Sequence, residues 1–579
     1  MHTLTIRHVP GTSPPGFQLL RLPDGRATPP REVPDAAGFA VEGRPDGLLA
    51  ELRWYLEDFL EYPFSPYTER ADRVRGALEG WGRAAFGALF GDRDGGRMLA
   101  DAVRGKRGHA ALRLQIRSDD PAVLAWPWEA LHDPQAGPLG QLSQVERRLD
   151  AAADPTPLDP HLPRDRVHIL LVTARPYERD VGYRSISRPL VEMIARRALP
   201  AEIHVLRPPT FARLRDHLRE RPHHYHILHF DGHGAYGAAE PAAALGGGGG
   251  PAHRFGGPSG RLVFEDDTGG PDAVSAGDLA PLLREMALPV VVLNACQSGM
   301  HRAEAQNAFA SVGAALLQAG TRGVVAMAYS LYVSGAQEFL PALYRRLFET
   351  GSVAEGVRAG RQAMVERPGR VCARGRFPLA DWLVPVLYQL EDANLAFAHG
   401  RGGRRRRGAT AKGGEPPAAG RAEIAELGGD PGPHGFVGRD GAILALERAL
   451  RKRPAAVLIH GMAGVGKTTL ARGFVEWLRD TEGLGRGCLW FDFQEIRSAE
   501  YVVNRIGERL FGPRFGALGR QEKIAPLVQE LRAERLILVW DNFETAAGIP
   551  GTGWRQRWPR PIWRTCASFS IGWRVARRS

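Results

Sequence analysis

The sequence predicts an α/β protein: a parallel sheet with helices on both faces, then a linker and an incomplete second α/β domain. Three observations carry this. From residue 166 onward, short apolar runs alternate with helix-length segments. A Gly-, Arg- and Pro-rich stretch at 399–432 breaks that pattern, and a second alternation opens with the apolar run 455–459. Short apolar runs joined by helical crossovers imply parallel strands covered on both faces.

The chain has 579 residues, 44% hydrophobic and 24% charged. This ordinary globular composition excludes disordered, collagenous and coiled-coil classes, and the length allows several domains. No apolar run reaches the ~18 residues of a membrane span, and the N-terminus lacks a secretory core, so a cytoplasmic protein is expected. Cys296, Cys372, Cys488 and Cys566 lie far apart, so neither a zinc pair nor a disulfide framework is expected. The net charge of +12 is concentrated in two segments, +6 in 401–412 and +7 in 551–579. The remainder is close to neutral, so no specific nucleic-acid partner is expected.

In order, the strands are expected at 167–173, 203–206, 225–230, 290–294, 323–327 and 383–388. The intervening helices are expected at 211–220, 276–286, 307–319 and 335–348. Residues 237–260, with the run Gly246 to Gly250, read as a surface loop inserted in the domain. The expected divisions are a mixed N-terminal region (1–150), a first α/β core (151–398), a linker (399–432), a second α/β domain (433–550) and a basic Trp-rich tail (551–579). The tail crowds four tryptophans and seven arginines without pattern. It is expected to be unfolded, as the end of a truncated or frame-shifted chain or as a genuine basic tail.

Two strands lead into reactive residues. The run 225–230 is followed by Asp231-Gly232-His233-Gly234, read as a sharp turn exposing the imidazole. The run 290–294 leads to Ala295-Cys296-Gln297-Ser298-Gly299. In open parallel sheets, sites gather beyond the carboxyl ends of strands, and neighbouring strands lie only ~4.8 Å apart. An imidazole beside a thiol raises the thiolate fraction, so His233 is the candidate base and Cys296 the candidate nucleophile. The backbone N–H groups of Gly234 and Cys296 are candidate oxyanion donors. A buried structural cysteine is the competing reading. His226 and His229 are expected to be packed within the strand.

His-Phe-Asp-Gly-His-Gly followed by Asn-Ala-Cys-Gln-Ser-Gly resembles the bacterial CHAT domain, a caspase-like cysteine peptidase of the clan of caspases and separases. Ala295-Cys296-Gln297 matches the core of the caspase signature, while Asn294 and Ser298 depart from it. Trp126-Pro127-Trp128-Glu129 resembles the segment that precedes the catalytic sheet in CHAT proteins, and 381–388 resembles the strand that closes the domain. The resemblance covers about residues 50–392. It implies a caspase-like sheet, a His233/Cys296 dyad and a protein substrate. Relatives that cleave after Arg or Lys need an acid in the S1 pocket, for which Asp231, Asp266 and Asp267 are candidates beside Glu265. With such a pocket, the arginines of 401–407 become a candidate self-cleavage site; a soluble spacer is the alternative.

The second domain carries Gly461-Met462-Ala463-Gly464-Val465-Gly466-Lys467-Thr468-Thr469, a complete Walker A pattern between an apolar run and a helix. Glycines free the backbone N–H groups to cradle phosphates, Lys467 reaches the terminal phosphates and Thr468 holds Mg²⁺. The candidate nucleotide site is therefore Gly461, Gly464, Gly466, Lys467, Thr468, Thr469 and Asp541. The run 536–540 ending at Asp541 reads as Walker B, with Thr468 and Asp541 on the Mg²⁺ of ATP. Phe436-Val437-Gly438-Arg439 resembles the motif that opens STAND-class (NB-ARC and NACHT-like) signalling ATPases. That resemblance implies a nucleotide-gated switch over the N-terminal effector, in bacterial defence or regulated cell death. Asn542 stands where many members carry a second acid, so hydrolysis is expected to be slow; with only about three P-loop strands in the sequence, the ATP site is also expected to be weak. The alternative is an inactive CHAT scaffold that signals through nucleotide-dependent interactions.

Overall fold

The computed structural model describes residues 2–547, apart from 12–15, 23, 151–153, 179, 198, 238–258, 297–307, 393–394, 396–423, 426–435, 452–455, 497 and 534. The Gly-rich run 246–250, the arginine run 401–407, Gln297 to Gly299 and the tail 551–579 lie outside the described residues. The chain divides into two compact units, residues 1–202 with 206–399, and residues 203–205 with 400–579.

The first unit is built on a 13-stranded sheet flanked by helices. Its principal strands are β1 (His2–Val9), β2 (Gly16–Leu22), β3 (Leu112–Arg117), β4 (Gln144–Arg148), β5 (Val167–Thr173) and β6 (Ile227–Gly237). They continue with β7 (Ser259–Glu265), β8 (Pro271–Ser275), β9 (Val290–Cys296), β10 (Gly323–Met327) and β11 (Pro385–Gln389). The spatial order is β8-β7-β6-β9-β10-β11-β4-β3-β1-β2, with β5 also paired to β6. Thus the first 150 residues and the following core share one sheet.

Around the site the pairing is parallel, β5 to β6, β6 to β9 and β9 to β10. Every residue of β5 and β10 is buried, as strands covered on both faces require. Antiparallel pairs flank this centre at β6–β7, β7–β8 and β10–β11.

The expected crossover helices are present as α1 (Phe211–Glu220), α2 (Ala276–Glu285), α3 (Ala308–Gln318) and α4 (Val333–Thr350). Thr210 and Ser275 cap α1 and α2 by accepting from Arg213 N and Asp278 N, which satisfies donors the first turn leaves unpaired. Gly351 closes α4 in the left-handed region at φ 71°, where a side chain would be strained.

The Pro-Trp-Glu segment is a structural keystone. Glu129, fully buried, accepts from Arg147 (Nη1 to Oε1 2.6 Å, Nη2 to Oε2 2.9 Å) and from Arg361 (Nη2 to Oε1 2.8 Å). Arg361 also donates to the Pro385 carbonyl at 3.0 Å, tying this segment to β11. Despite burial, which acts the other way, the two guanidinium groups hold the Glu129 carboxyl below its ordinary range.

The second unit contains a parallel sheet of Ile424–Ala425, β12 (Gly487–Asp492) and β13 (Leu536–Asp541). Leu489, Phe491, Val502, Ile506 and Leu527 are buried in its core. The helix expected after the Gly-rich loop is α5 (Lys467–Asp480). The strand expected at 455–459 is not found among the described residues. Residues 456–460 pair with no described strand, and Leu458 is 74% exposed. Apolarity does not make a strand unless a neighbour pairs with the backbone N–H and C=O groups of the run.

Candidate active site

The geometry of the site follows from how β6 changes partner. Its first half pairs in parallel with β5, from Ile227↔Ile169 to Asp231↔Thr173. Its second half pairs antiparallel with β7, from His233↔Val263 to Gly237↔Ser259. The turn expected at 231–234 therefore does not form, because β7 takes over the ladder where β5 ends. His233 is a strand residue, 4% exposed, rather than an imidazole presented by a turn. Gly232 is needed for space: a Cβ there would sit 2.9 Å from the Phe230 ring and 3.4 Å from Ala174 Cβ.

On the other side of β6, β9 runs in parallel register from Ile227↔Val290 to His233↔Cys296. His233 and the last residue of β9 are thus direct register partners. Gly234, the other expected oxyanion donor, is the first β6 residue beyond the end of β9 and pairs with Leu262 of β7.

The loop after β5 supplies residues that the sequence reading did not single out. Asp180 Oδ1 lies 2.8 Å from His233 Nε2, and the Tyr177 ring meets the imidazole edge-on at 4.9 Å. Burial would push the Asp180 carboxyl up. The hydrogen bond and charge of His233, with the nearby Arg175 guanidinium, outweigh it and hold Asp180 below its ordinary range. A signal was available: 174–180 follow the carboxyl end of a strand, where sites gather in parallel sheets.

Arg175 is the hub of this loop. Its Nη2 donates to Asp231 Oδ2 at 2.7 Å, and its Nη1 to the Asp231 and Ala174 carbonyls at 2.8 and 2.9 Å. Its Nε reaches the Val181 carbonyl at 3.1 Å, and its backbone N–H donates to Glu265 Oε1 at 3.1 Å. Asn294 Nδ2 completes the set, 3.1 Å from Asp231 Oδ1. Burial pushes the Asp231 carboxyl above its ordinary range even though Arg175 and Asn294 pull it down.

These contacts show where the expected S1 acids sit. Asp231 is 3% exposed and faces Arg175, so its charge is compensated from within the chain. Asp266 is a turn residue that accepts from the backbone N–H of Thr268 and Gly270 at 2.8 Å each. The cleft is lined by Asp180, Asp231, His233 and Asn294, with Ile186, Leu331 and Val333 as apolar neighbours; Asp266 and Asp267 are not among its residues. His229 is packed within β6 as expected, whereas His226, expected in the same strand, is buried but precedes β6, which begins at Ile227. His229 is fully buried, 2.8 Å from the Tyr344 hydroxyl, and burial pulls its imidazole down to about 3.

In the second unit, the Gly-rich loop has a shape that suits a phosphate. Gly461, Gly464 and Gly466 have φ of 157°, 78° and 81°. The loop leads directly into the N-terminus of α5, where backbone donors and the helix dipole favour an anion. Thr468 Oγ1 lies 3.0 Å from Asp541 Oδ1, so the two residues expected at Mg²⁺ are neighbours. Lys467 Nζ donates to the Gly461 and Met462 carbonyls at 3.1 and 3.0 Å. Arg439 of the Phe-Val-Gly-Arg segment donates to the Val465 carbonyl. Asn542 donates to Asp492 Oδ1 at 3.0 Å.

The mostly parallel central sheet flanked by helices, with the cleft at its strand ends, defines a caspase-like α/β domain. Residues 96–401 match the CHAT domain, more than half of the sequence, and the chain belongs to the CHAT-domain family. Two solved structures of the Saccharomyces cerevisiae separase–securin complex, at 3.0 and 2.6 Å resolution, are similar at 10% sequence identity, with TM-scores of 0.37 and 0.35. Each likeness covers 67% of this chain and 30% of that one, so it spans under a third of that chain's length. No protein of curated function matches the sequence. Among the described residues, no helix is long and apolar enough to cross a membrane.

Proposed function

We propose that this chain is a cysteine endopeptidase acting on a protein substrate, with Cys296 as nucleophile and His233 as base, under the control of a nucleotide-binding STAND-type module. The observation that carries the reading is the register pairing of His233 with Cys296, on a cleft where a carboxylate holds the histidine. His233 takes the thiol proton and the thiolate adds to the substrate carbonyl carbon. The backbone N–H groups of Gly234 and Cys296 receive the oxyanion. The imidazolium then protonates the leaving amine, and water releases the acyl group with the same histidine as base.

ATP with Mg²⁺ is the ligand proposed for the second unit, and the positive-φ glycines and the Thr468–Asp541 contact fit it. The loop N–H groups from Gly461 to Thr469 would surround phosphate oxygens, Lys467 would neutralise them, and Thr468 with Asp541 would face the cation. A role in bacterial defence or regulated cell death belongs to the same reading, and rests on the family resemblance.

A pooled peptide-cleavage profile of the full chain, with and without ATP, tests this directly. Discrete cleavage lost in Cys296→Ala is expected. No cleavage in either state, with Cys296 no more reactive than Cys372, favours the scaffold alternative. Residues 401–407 are a candidate substrate within the chain. A fragment ending there in wild type but not in Cys296→Ala, read by intact mass, would support self-processing; identical masses would remove it.

A further inference from the structure

Resting on the peptidase reading, we propose that Asp180 is a positioning residue that acts through His233 Nε2, making the site a Cys296–His233–Asp180 triad. The contact is short, 2.8 Å between Asp180 Oδ1 and Nε2. It is sheltered, with side-chain exposures of 7% for Asp180 and 5% for His233. It is also built: the Val181 backbone N–H donates to the same Oδ1 at 2.7 Å, Arg175 Nε stands 3.9 Å away, and Tyr177 closes on the ring edge. Arg175, anchored on Asp231, thereby fixes the loop that carries Asp180.

The proton bookkeeping follows from which nitrogen the carboxylate holds. In the neutral imidazole, Nε2 carries the proton and donates it to Asp180, so Nδ1 is the base. When the thiol ionises, its proton moves to Nδ1 and the Nε2 proton stays in place. The imidazolium is stabilised by the Asp180 carboxylate, which itself takes no proton. The Nδ1 proton later leaves with the amine. Asp180 is held below its ordinary range and is ionised at neutral pH, as this role requires. Asp231 does not fill the role, because its carboxylate is paired with Arg175 and Asn294.

One feature permits a rival role. Asp180 Oδ2 is buried without a hydrogen-bond partner among the described residues, and could instead accept a basic substrate side chain. Kinetics separate the two roles. In the full chain, Asp180→Asn and Asp180→Glu are compared with wild type on a peptide from the pooled profile, with Cys296 alkylation by iodoacetamide followed against pH and the unfolding temperature recorded. The expected result for Asp180→Asn is a fall in kcat of roughly 100-fold with KM little changed. Its alkylation midpoint should move to higher pH, with partial recovery of both in Asp180→Glu.

An unchanged kcat and alkylation midpoint in Asp180→Asn would overturn the triad and leave the dyad standing. A loss confined to KM, and only for peptides with Arg or Lys at the cleaved position, would overturn it in favour of substrate binding. Losses that merely track the unfolding temperature in both variants would also overturn it. If wild type cleaves nothing and its Cys296 reacts no faster than Cys372, the peptidase reading falls first and the triad with it.

Discussion

The Arg175 guanidinium and the Asp231 carboxylate meet at 2.7 Å with both side chains 4% exposed or less, in the stretch of β6 that leads to His233. Removing one partner of such a pair strands the other charge in the interior, which costs about 3–5 kcal/mol. Arg175→Leu should therefore lower stability by that amount in urea unfolding, and Asp231→Asn added to it should recover most of the loss. The pH dependence has a definite sign. Asp231 is already raised by burial, and losing Arg175 raises it further. A raised carboxyl loses stability as pH rises from the ordinary range through the folded value. The deficit of Arg175→Leu should therefore be smaller at low pH than at pH 8.

Glu129 behaves in the opposite sense. Its folded carboxyl is held low by Arg147 and Arg361 against burial. The stability it contributes is present above the unfolded value of about 4.3 and is lost as pH falls through the folded value. Glu129→Gln should cost about 3–5 kcal/mol at pH 7, because two buried guanidinium groups lose their partner. Urea unfolding repeated below pH 4 should show the gap to wild type closing.

Gly232→Ala tests the packing that places His233. The added methyl meets the Phe230 ring at 2.9 Å inside a buried sheet, and overpacking of this kind costs about 1–3 kcal/mol. Peptide cleavage should fall more steeply than stability, since displacing β6 there moves His233 against β9. Equal activity at lowered stability would mean that the strand absorbs the methyl without moving the histidine.

The legible part of this site was the part written in apolar runs. The all-apolar stretch 290–293 and the run ending at Phe230 announced two buried strands, and His233 and Cys296 lie at matching distances beyond them. The extended conformation of Asp231 to Gly234 was not legible. Glycines on both sides of His233 suit a turn, and what keeps them extended is β7, whose pairing begins at Ser259. Asp180 and Arg175 were hidden for a related reason: loop contacts depend on where the chain returns, and a single Asp has no spacing pattern to betray it. In the second unit, Lys467, Thr468 and Asp541 were readable because a fixed motif sets their local geometry. The run before them was over-read, since apolarity alone does not supply a strand with partners.

Nucleotide binding should be weak and turnover negligible. Asn542 donates to Asp492, and as a neutral amide it offers no second carboxylate beside Asp541. Titration calorimetry with ATP and Mg²⁺ should give an affinity weaker than micromolar that disappears in Lys467→Ala. Robust hydrolysis, abolished by the same substitution, would show that the site is catalytically complete.

The most direct measurement is the alkylation rate of each cysteine in the full-length wild-type chain and in His233→Ala, followed by peptide mapping at neutral pH. Thiolate, not thiol, is the reactive form, so a cysteine served by an imidazole reacts faster than an ordinary one. The account predicts that Cys296 is labelled well ahead of Cys372 in the wild type and that the advantage vanishes in His233→Ala. Equal labelling of Cys296 and Cys372 in the wild type, or an advantage that survives His233→Ala, would contradict it.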